Sequence, residues 1–301
     1  MPLSRRSFIG GAIAAAASVP LLGRRAFAAP APDIVDVSGT DPKAMVAAAL
    51  QAFGGIGKFV RRGSHVVLKP NAGFANPPDW GSTTHPDTVV AVAKACLDAG
   101  AKSVTVVEFP QGRGIKCLER CGLIAALQAL PQVKIKVLSS PGDFSKVEVK
   151  GGVQLKQVEV AKAYLSADVL ISIPAAKAHN ETGVSFGLKN HMGLIYDRKA
   201  FHTMLNLHQA IADLARVIKP QLTILDATRA LLTNGPTGPG DTATPGRLIA
   251  GRNPVCVDAY GLTLARFNNK QMTPADVKHL ELCSGLGEIR VAKLKVKKVK
   301  A

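Results

Sequence analysis

The chain has 301 residues, 47% of them apolar and 20% charged, which supplies enough apolar sequence for a sizeable core and excludes a disordered chain. Its formal net charge of +17 favours anionic partners such as small phosphates and carboxylates. Only 5% of residues are aromatic, too few for base stacking, so nucleic acid is not an expected partner.

Ser4, Arg5, Arg6, Ser7, Phe8 and Ile9 match the twin-arginine pattern S-R-R-x-F-[LI]. An apolar stretch from Gly10 to Leu22 follows, then Ala26-Phe27-Ala28 as a small-x-small cleavage site. The apolar run is too short to span a bilayer. Residues 1–28 therefore read as a Tat signal peptide, cut after about Ala28, with the Tat translocase as partner during export and the periplasm as destination. Residues 29–301 read as a single domain with no transmembrane segment. Such substrates cross already folded, often around a cofactor, so a metal ion or a tightly bound organic cofactor is expected.

Ile34 to Val37 predicts a first strand, and Thr40-Asp41-Pro42 starts a helix that runs to Gly54. His65 to Lys69 is a strand dense in valine and leucine, as a buried parallel strand should be. Pro86 starts a helix that stops at Gly100, and Ser103 to Phe109 is the next strand. A helix over 117–130, a strand from Lys134 to Leu138 and a hairpin from Val147 to Val160 turning at Gly151-Gly152 come next. Asp168 to Ile173 is a core strand, His202 to Ile218 a helix closed by Lys219-Pro220, and Leu222 to Asp226 a strand. A loop rich in glycine and proline over 235–246, a short strand near Leu248 and two helices lead to a final strand in which lysines alternate with Leu294 and Val296. This order predicts an α/β fold: a mainly parallel central sheet with helices on both faces, plus a hairpin and a basic C-terminal edge strand.

Open parallel sheets place ligands beyond the carboxyl ends of their strands. There the sequence puts Lys69-Pro70-Asn71, then Pro174 with Lys177 and His179, then Asp226. The densest polar segment is Gly183 to Gly193, whose three glycines let backbone approach a ligand while Lys189, Asn190 and His191 supply a charge, an amide and an imidazole. It is neither a Walker loop nor the G-x-G-x-x-G of a dinucleotide fold. His202, Asp226 and Asp258 offer an oxygen and nitrogen set for a metal. The five cysteines, Cys96, Cys117, Cys121, Cys256 and Cys283, form no C-x-x-C pair, so no iron–sulfur cluster is expected, and at least three of the five are expected to be buried structural thiols.

The series Lys69-Pro70-Asn71, Thr84-His85-Pro86, Ile173-Pro174 with Lys177 and His179, Gly187-Leu188-Lys189-Asn190 with Gly193, Asp226-Ala227, and Asn253-Pro254 with Asp258-Ala259 resembles the domain of unknown function 362 family over about residues 65–265. The resemblance implies a fold and a site more than a reaction. Some members carry ferredoxin-like cysteine motifs beside this domain, and this chain lacks them. The stretch from Lys177 to Gly193 is also distantly similar to the glycine-rich segment in the N-terminal domain of nickel-pincer lactate racemases, in which lysine and histidine hold a modified nicotinic-acid cofactor.

The expectation is an exported, cofactor- or metal-dependent enzyme acting on a small anionic substrate, with redox chemistry as one option. In that reading Lys177 with His179 or His191 carries the catalysis. Lys69, Asn71, His85, Gly187, Lys189, Asn190 and Gly193 bind the ligand. The rival reading is a non-catalytic periplasmic protein that captures an anion or a metal ion with the same side chains.

Overall fold

A computed structural model describes residues 31–301, so the expected leader over 1–28 lies outside the described residues. β1 (Ile34–Ser38) leads into α1 (Pro42–Ala52), where the Asp41 side chain accepts from the Lys43 and Ala44 N–H groups and Pro42 occupies the first turn. β2 (His65–Pro70), α2 (Pro86–Asp98), β3 (Ser103–Glu108), α3 (Ile115–Arg120), α4 (Leu123–Leu127) and β4 (Val133–Val137) follow. The hairpin β5 (Phe144–Glu148) and β6 (Gln157–Ala161) leads through α5 (Lys162–Leu165) to β7 (Val169–Ile173), β8 (Ala175–His179) and β9 (Gly183–Val184). Next come α6 (Gly187–Asn190), α7 (Arg198–Thr203), α8 (Leu207–Leu214) and β10 (Leu222–Leu231). β11 (Thr242–Ala243), β12 (Arg247–Gly251), α9 (Pro254–Gly261), α10 (Lys278–Leu282) and β13 (Val296–Lys300) complete the series.

The main sheet runs β13-β1-β12-β10-β7-β2-β3-β4, with β8 and β11 joined to β10 and β9 to β8. β2 pairs in parallel with β3 and β7, β7 with β10, β3 with β4, and β1 with β13. β12 runs antiparallel to both β1 and β10, so the sheet is mixed at that position and mostly parallel elsewhere. Successive strand residues point to opposite faces, and each face has its own core. Val66 and Leu68, Val104 and Val106, and Leu222 and Ile224 pack with α1 and α2 on one side. Val67, Val107, Leu170 and Leu225 pack with α8 and α9 on the other. Helices thus cover both faces, and near-continuous apolar strands follow from that double burial.

Several boundaries differ from the sequence expectation for local reasons. The helix over 117–130 is two short helices, because Gly122 takes φ 79° between them, a conformation open to glycine. The helix from His202 is also two: the Asn206 side chain caps a new start by accepting from Gln209 N–H. The basic strand β13 sits at the sheet edge beside β1, with Lys297, Lys298 and Lys300 exposed, an arrangement that blunts edge pairing. All five cysteines are free and buried, and burial pushes the Cys96 and Cys283 thiols up to about 12.

Candidate functional site

The site begins where the sheet continues past its expected end. After β7, Pro174 does not release the chain into a loop; Ala175–His179 pairs in parallel with the distal half of β10, which explains the ten-residue length of β10. Lys177 and His179 are two apart in a strand and share a face, while Ala176 and Ala178 pack into the core. A lysine and a histidine read as loop residues are therefore buried strand residues, Lys177 at 0% exposure.

A second wall is α6, and α9 holds it. The Asp258 carboxylate accepts from Gly187 N–H at 2.8 Å and Leu188 N–H at 2.9 Å, tying down the first turn of the short helix that carries Lys189 and Asn190. A Cβ at Gly187 would lie 3.0 Å from Asp258 Oδ1, so a bare backbone is needed for this approach. Burial pushes Asp258 up to about 7, against the two N–H donors that favour its charge.

Between these walls lies a cavity of about 400 Å³, bordered by Asn71, Phe74, Glu108, Lys177, His179, Glu181, Lys189, Asn190, Gly193, Arg198 and His202 among others. Lys69 lies just behind it at 0% exposure; its Nζ donates to the Pro70 carbonyl, to Glu108 Oε2 at 2.9 Å and to Asn190 Oδ1 at 3.3 Å. Burial lowers the Lys69 ammonium and the Glu108 carboxylate opposes that shift. Lys177 has no carboxylate within ion-pair distance among the described residues. Its Nζ donates to Asn71 Oδ1 at 3.2 Å and to the Ser82 carbonyl, and lies 4.5 Å from the centre of the Phe74 ring. Burial pushes it down to about 7, opposed by the charge of Glu108 and reinforced by those of Lys189 and Lys69.

Lys189 Nζ is 3.5 Å from His202 Nε2, and His202 Nδ1 is 2.8 Å from Glu181 Oε2. The Arg198 guanidinium lies over the Phe109 ring and donates to the Phe109 and Pro110 carbonyls at 2.6 and 3.0 Å. His179 Nδ1 accepts from the Glu181 and Thr182 N–H groups, so in the neutral ring the proton sits on Nε2. Burial and the nearby lysines push His179 down to about 3. The cavity therefore gathers Lys177, Lys189 and Arg198 against Glu108 and Glu181, and Glu108 is also engaged by the buried Lys69, an excess of positive charge suited to an anion.

Of the residues expected to bind or react, Asn71, Lys177, His179, Lys189, Asn190, Gly193 and His202 border this cavity, with Lys69 one hydrogen bond behind. His191 does not border it; it is fully buried, neither ring nitrogen has a hydrogen-bond partner among the described residues, and burial pushes it down to about 3. His85 is at the start of α2, where its ring accepts from Asp87 N–H. Asp226 accepts from the His85 N–H, the Thr88 hydroxyl, and both the N–H and hydroxyl of Thr228, so its oxygens are occupied by scaffold. Asp258 is occupied by α6 in the same way. The expected metal set of His202, Asp226 and Asp258 is thus held apart, and among the described residues no three His, Cys, Asp or Glu side chains group to hold a metal ion.

Glu108, Glu181 and Arg198 were missed by the sequence reading. Glu108 ends β3 as Lys69 nearly ends β2, so the strand-end rule pointed to it. Arg198 starts a short helix and has no comparable signal in sequence.

Gly193 explains the closeness of the pair behind the cavity. A Cβ there would lie 2.5 Å from Lys69 Cε and 2.6 Å from Glu108 Oε1. Gly193→Ala should force the ion pair apart and cost about 1–3 kcal/mol of stability, as overpacked sites do, read by chemical denaturation. Acid should also weaken the fold. His179, His191 and His279 are pushed from 6.5 down to about 3, so the unfolded chain binds more protons between those values and stability falls as pH drops through that window. Urea titrations should show a loss of more than about 2 kcal/mol between about pH 7 and pH 5.

These features define a class: an α/β domain of mainly parallel sheet with a lysine-walled polar cavity at the carboxyl ends of its strands. The family model described as domain of unknown function (DUF362) matches residues 66–263, and the chain belongs to that family. It is 29% identical over 253 residues to a thylakoid-associated protein of Synechocystis, covering 79% of this chain and 73% of that one. Among solved structures it is similar to the lactate racemase apoprotein from Thermoanaerobacterium thermosaccharolyticum, with a TM-score of 0.45 and 11% identity. That match covers 85% of this chain, which spans 57% of the racemase chain.

Proposed function

We propose that the protein is an exported enzyme that holds a small anionic organic molecule, substrate or bound cofactor, in the cavity beyond β2, β7 and β8. One observation carries this reading: Lys177 is wholly buried, borders the cavity and has no carboxylate within ion-pair distance among the described residues. Charging that buried amine without a counter-ion is costly, which is why burial pushes it down to about 7, and an anionic ligand would supply the missing charge and favour the ammonium. Lys189 and Arg198 would share the anion, while Asn71 and Asn190 orient it.

An amine pushed down to about 7 can also give or take a proton at neutral pH, which favours an enzyme over a passive binding protein. The His179 Nε2 proton would serve as a hydrogen-bond donor to the ligand. The occupied carboxylates of Asp226 and Asp258 support an organic group over a bare metal ion held by them. Native mass spectrometry and metal analysis of protein purified from the periplasm test the reading. A copurifying organic anion is expected. A bare exchangeable ion would favour the capture protein instead.

Export by the Tat route belongs to the same proposal and rests on Arg5 and Arg6. The thylakoid association in the name of the Synechocystis relative is compatible with a place of work outside the cytoplasm. Replacing Arg5 and Arg6 by lysine should leave full-length precursor in the cytoplasm. Normal processing of that variant would refute the assignment.

A further inference from the structure

Two buried lysines flank the cavity, and their hydrogen bonds differ in a chemically telling way. Lys69 Nζ has three acceptors, the Pro70 carbonyl, Glu108 Oε2 and Asn190 Oδ1, which match the three N–H bonds of an ammonium. Lys177 Nζ has two, Asn71 Oδ1 and the Ser82 carbonyl. Its other near neighbour is the Phe74 ring, whose centre lies 4.5 Å from Nζ, so Lys177, unlike Lys69, faces the cavity with no carboxylate in ion-pair distance among the described residues. Lys177 borders the cavity, and Phe74, which flanks it, borders the cavity too.

We propose that Lys177 is a covalent nucleophile that forms an imine with the carbonyl carbon of a small 2-oxo acid. This deepens the reading of the same cavity as an anion site and rests on it. The lone pair attacks the carbonyl carbon to form a C–N bond, and the carbonyl oxygen gains the proton that the nitrogen loses. The resulting hydroxyl leaves as water with the second nitrogen proton, so amine and carbonyl become imine and water with no oxidant or reductant. Lys189 acts electrostatically on Lys177 and supplies a cation for the carboxylate beside the carbonyl, and the Phe74 ring gives the planar imine an apolar flank. Burial pushes Lys177 down to about 7, which leaves a large fraction of it neutral at physiological pH, and Lys297 on the exposed edge strand serves as the internal reference.

The test uses the mature protein, glyoxylate as the probe and cyanoborohydride to reduce any imine formed, followed by peptide mapping. Lys177 should be labelled at least about tenfold faster than Lys297, and excess oxalate should slow that labelling. Labelling at Lys177 no faster than at Lys297 overturns the proposal. Thermal unfolding with oxalate, measured in parallel, separates the two readings. Stabilisation by oxalate without preferential labelling removes the imine and keeps the anion site; neither effect removes both.

Discussion

Replacing Glu108 with alanine should destabilise the protein by about 3–5 kcal/mol, the cost typical of stranding one partner of a buried ion pair. Glu108 Oε2 accepts from Lys69 Nζ at 2.9 Å and from Ala72 N–H at 2.8 Å, and Oε1 accepts from Phe109 N–H at 3.0 Å. Alanine would leave a fully buried ammonium and two N–H groups without acceptors. Lys69→Met in the same chain should recover part of the loss, because it removes the uncompensated charge. Urea denaturation of the two single variants and the double variant measures this coupling. A Glu108→Ala cost below about 1 kcal/mol would show that water reaches the pair and that the wall behind the cavity is not dry.

Lys177→Met should reduce affinity for a small dicarboxylate such as oxalate by roughly tenfold to more than a hundredfold, the worth of one charge-assisted hydrogen bond. Its effect on stability should be much smaller. Removing a buried amine relieves desolvation, while Asn71 Oδ1 and the Ser82 carbonyl lose a donor, and the two effects oppose. The net change should stay within about 2 kcal/mol. Early unfolding with affinity intact would make Lys177 a clamp between β8 and the 71–82 segment rather than a ligand group.

The strand pattern was readable because double burial gives β2, β3 and β7 almost continuous Val, Leu and Ile, a signal that needs no knowledge of tertiary contacts. β8 was not readable. Ala-Ala-Lys-Ala-His offers little apolar bulk, and it forms a strand only because the long β10 lies beside it. That is why Lys177 and His179 read as loop residues while the structure buries them.

The strand-end rule gathered residues that border the cavity together with residues that build its frame. Asn71, Lys177, His179 and Lys189 border the cavity, whereas His85, Asp226 and Asp258 cap and tie the surrounding backbone. Short polar motifs cannot separate those roles, since a capping carboxylate and a ligand-binding one have the same spelling. Lys189 shows the same limit. Its glycine-rich surroundings marked it as a charge offered to a ligand and gave no sign of burial, yet α6 is pinned by Asp258 and leaves Lys189 only 9% exposed, with burial pushing it down to about 8.

The central claim is that a small anion takes the place of the missing counter-ion at Lys177, and the pH dependence of oxalate affinity tests it most directly. Burial pushes Lys177 down to about 7 and Lys189 to about 8, and an anion favours their charged forms, so binding takes up protons. Isothermal titration should therefore show affinity falling by about tenfold or more as pH rises from about 6 to 9. Affinity that stays flat across that range, or no binding at its acid end, would contradict the account.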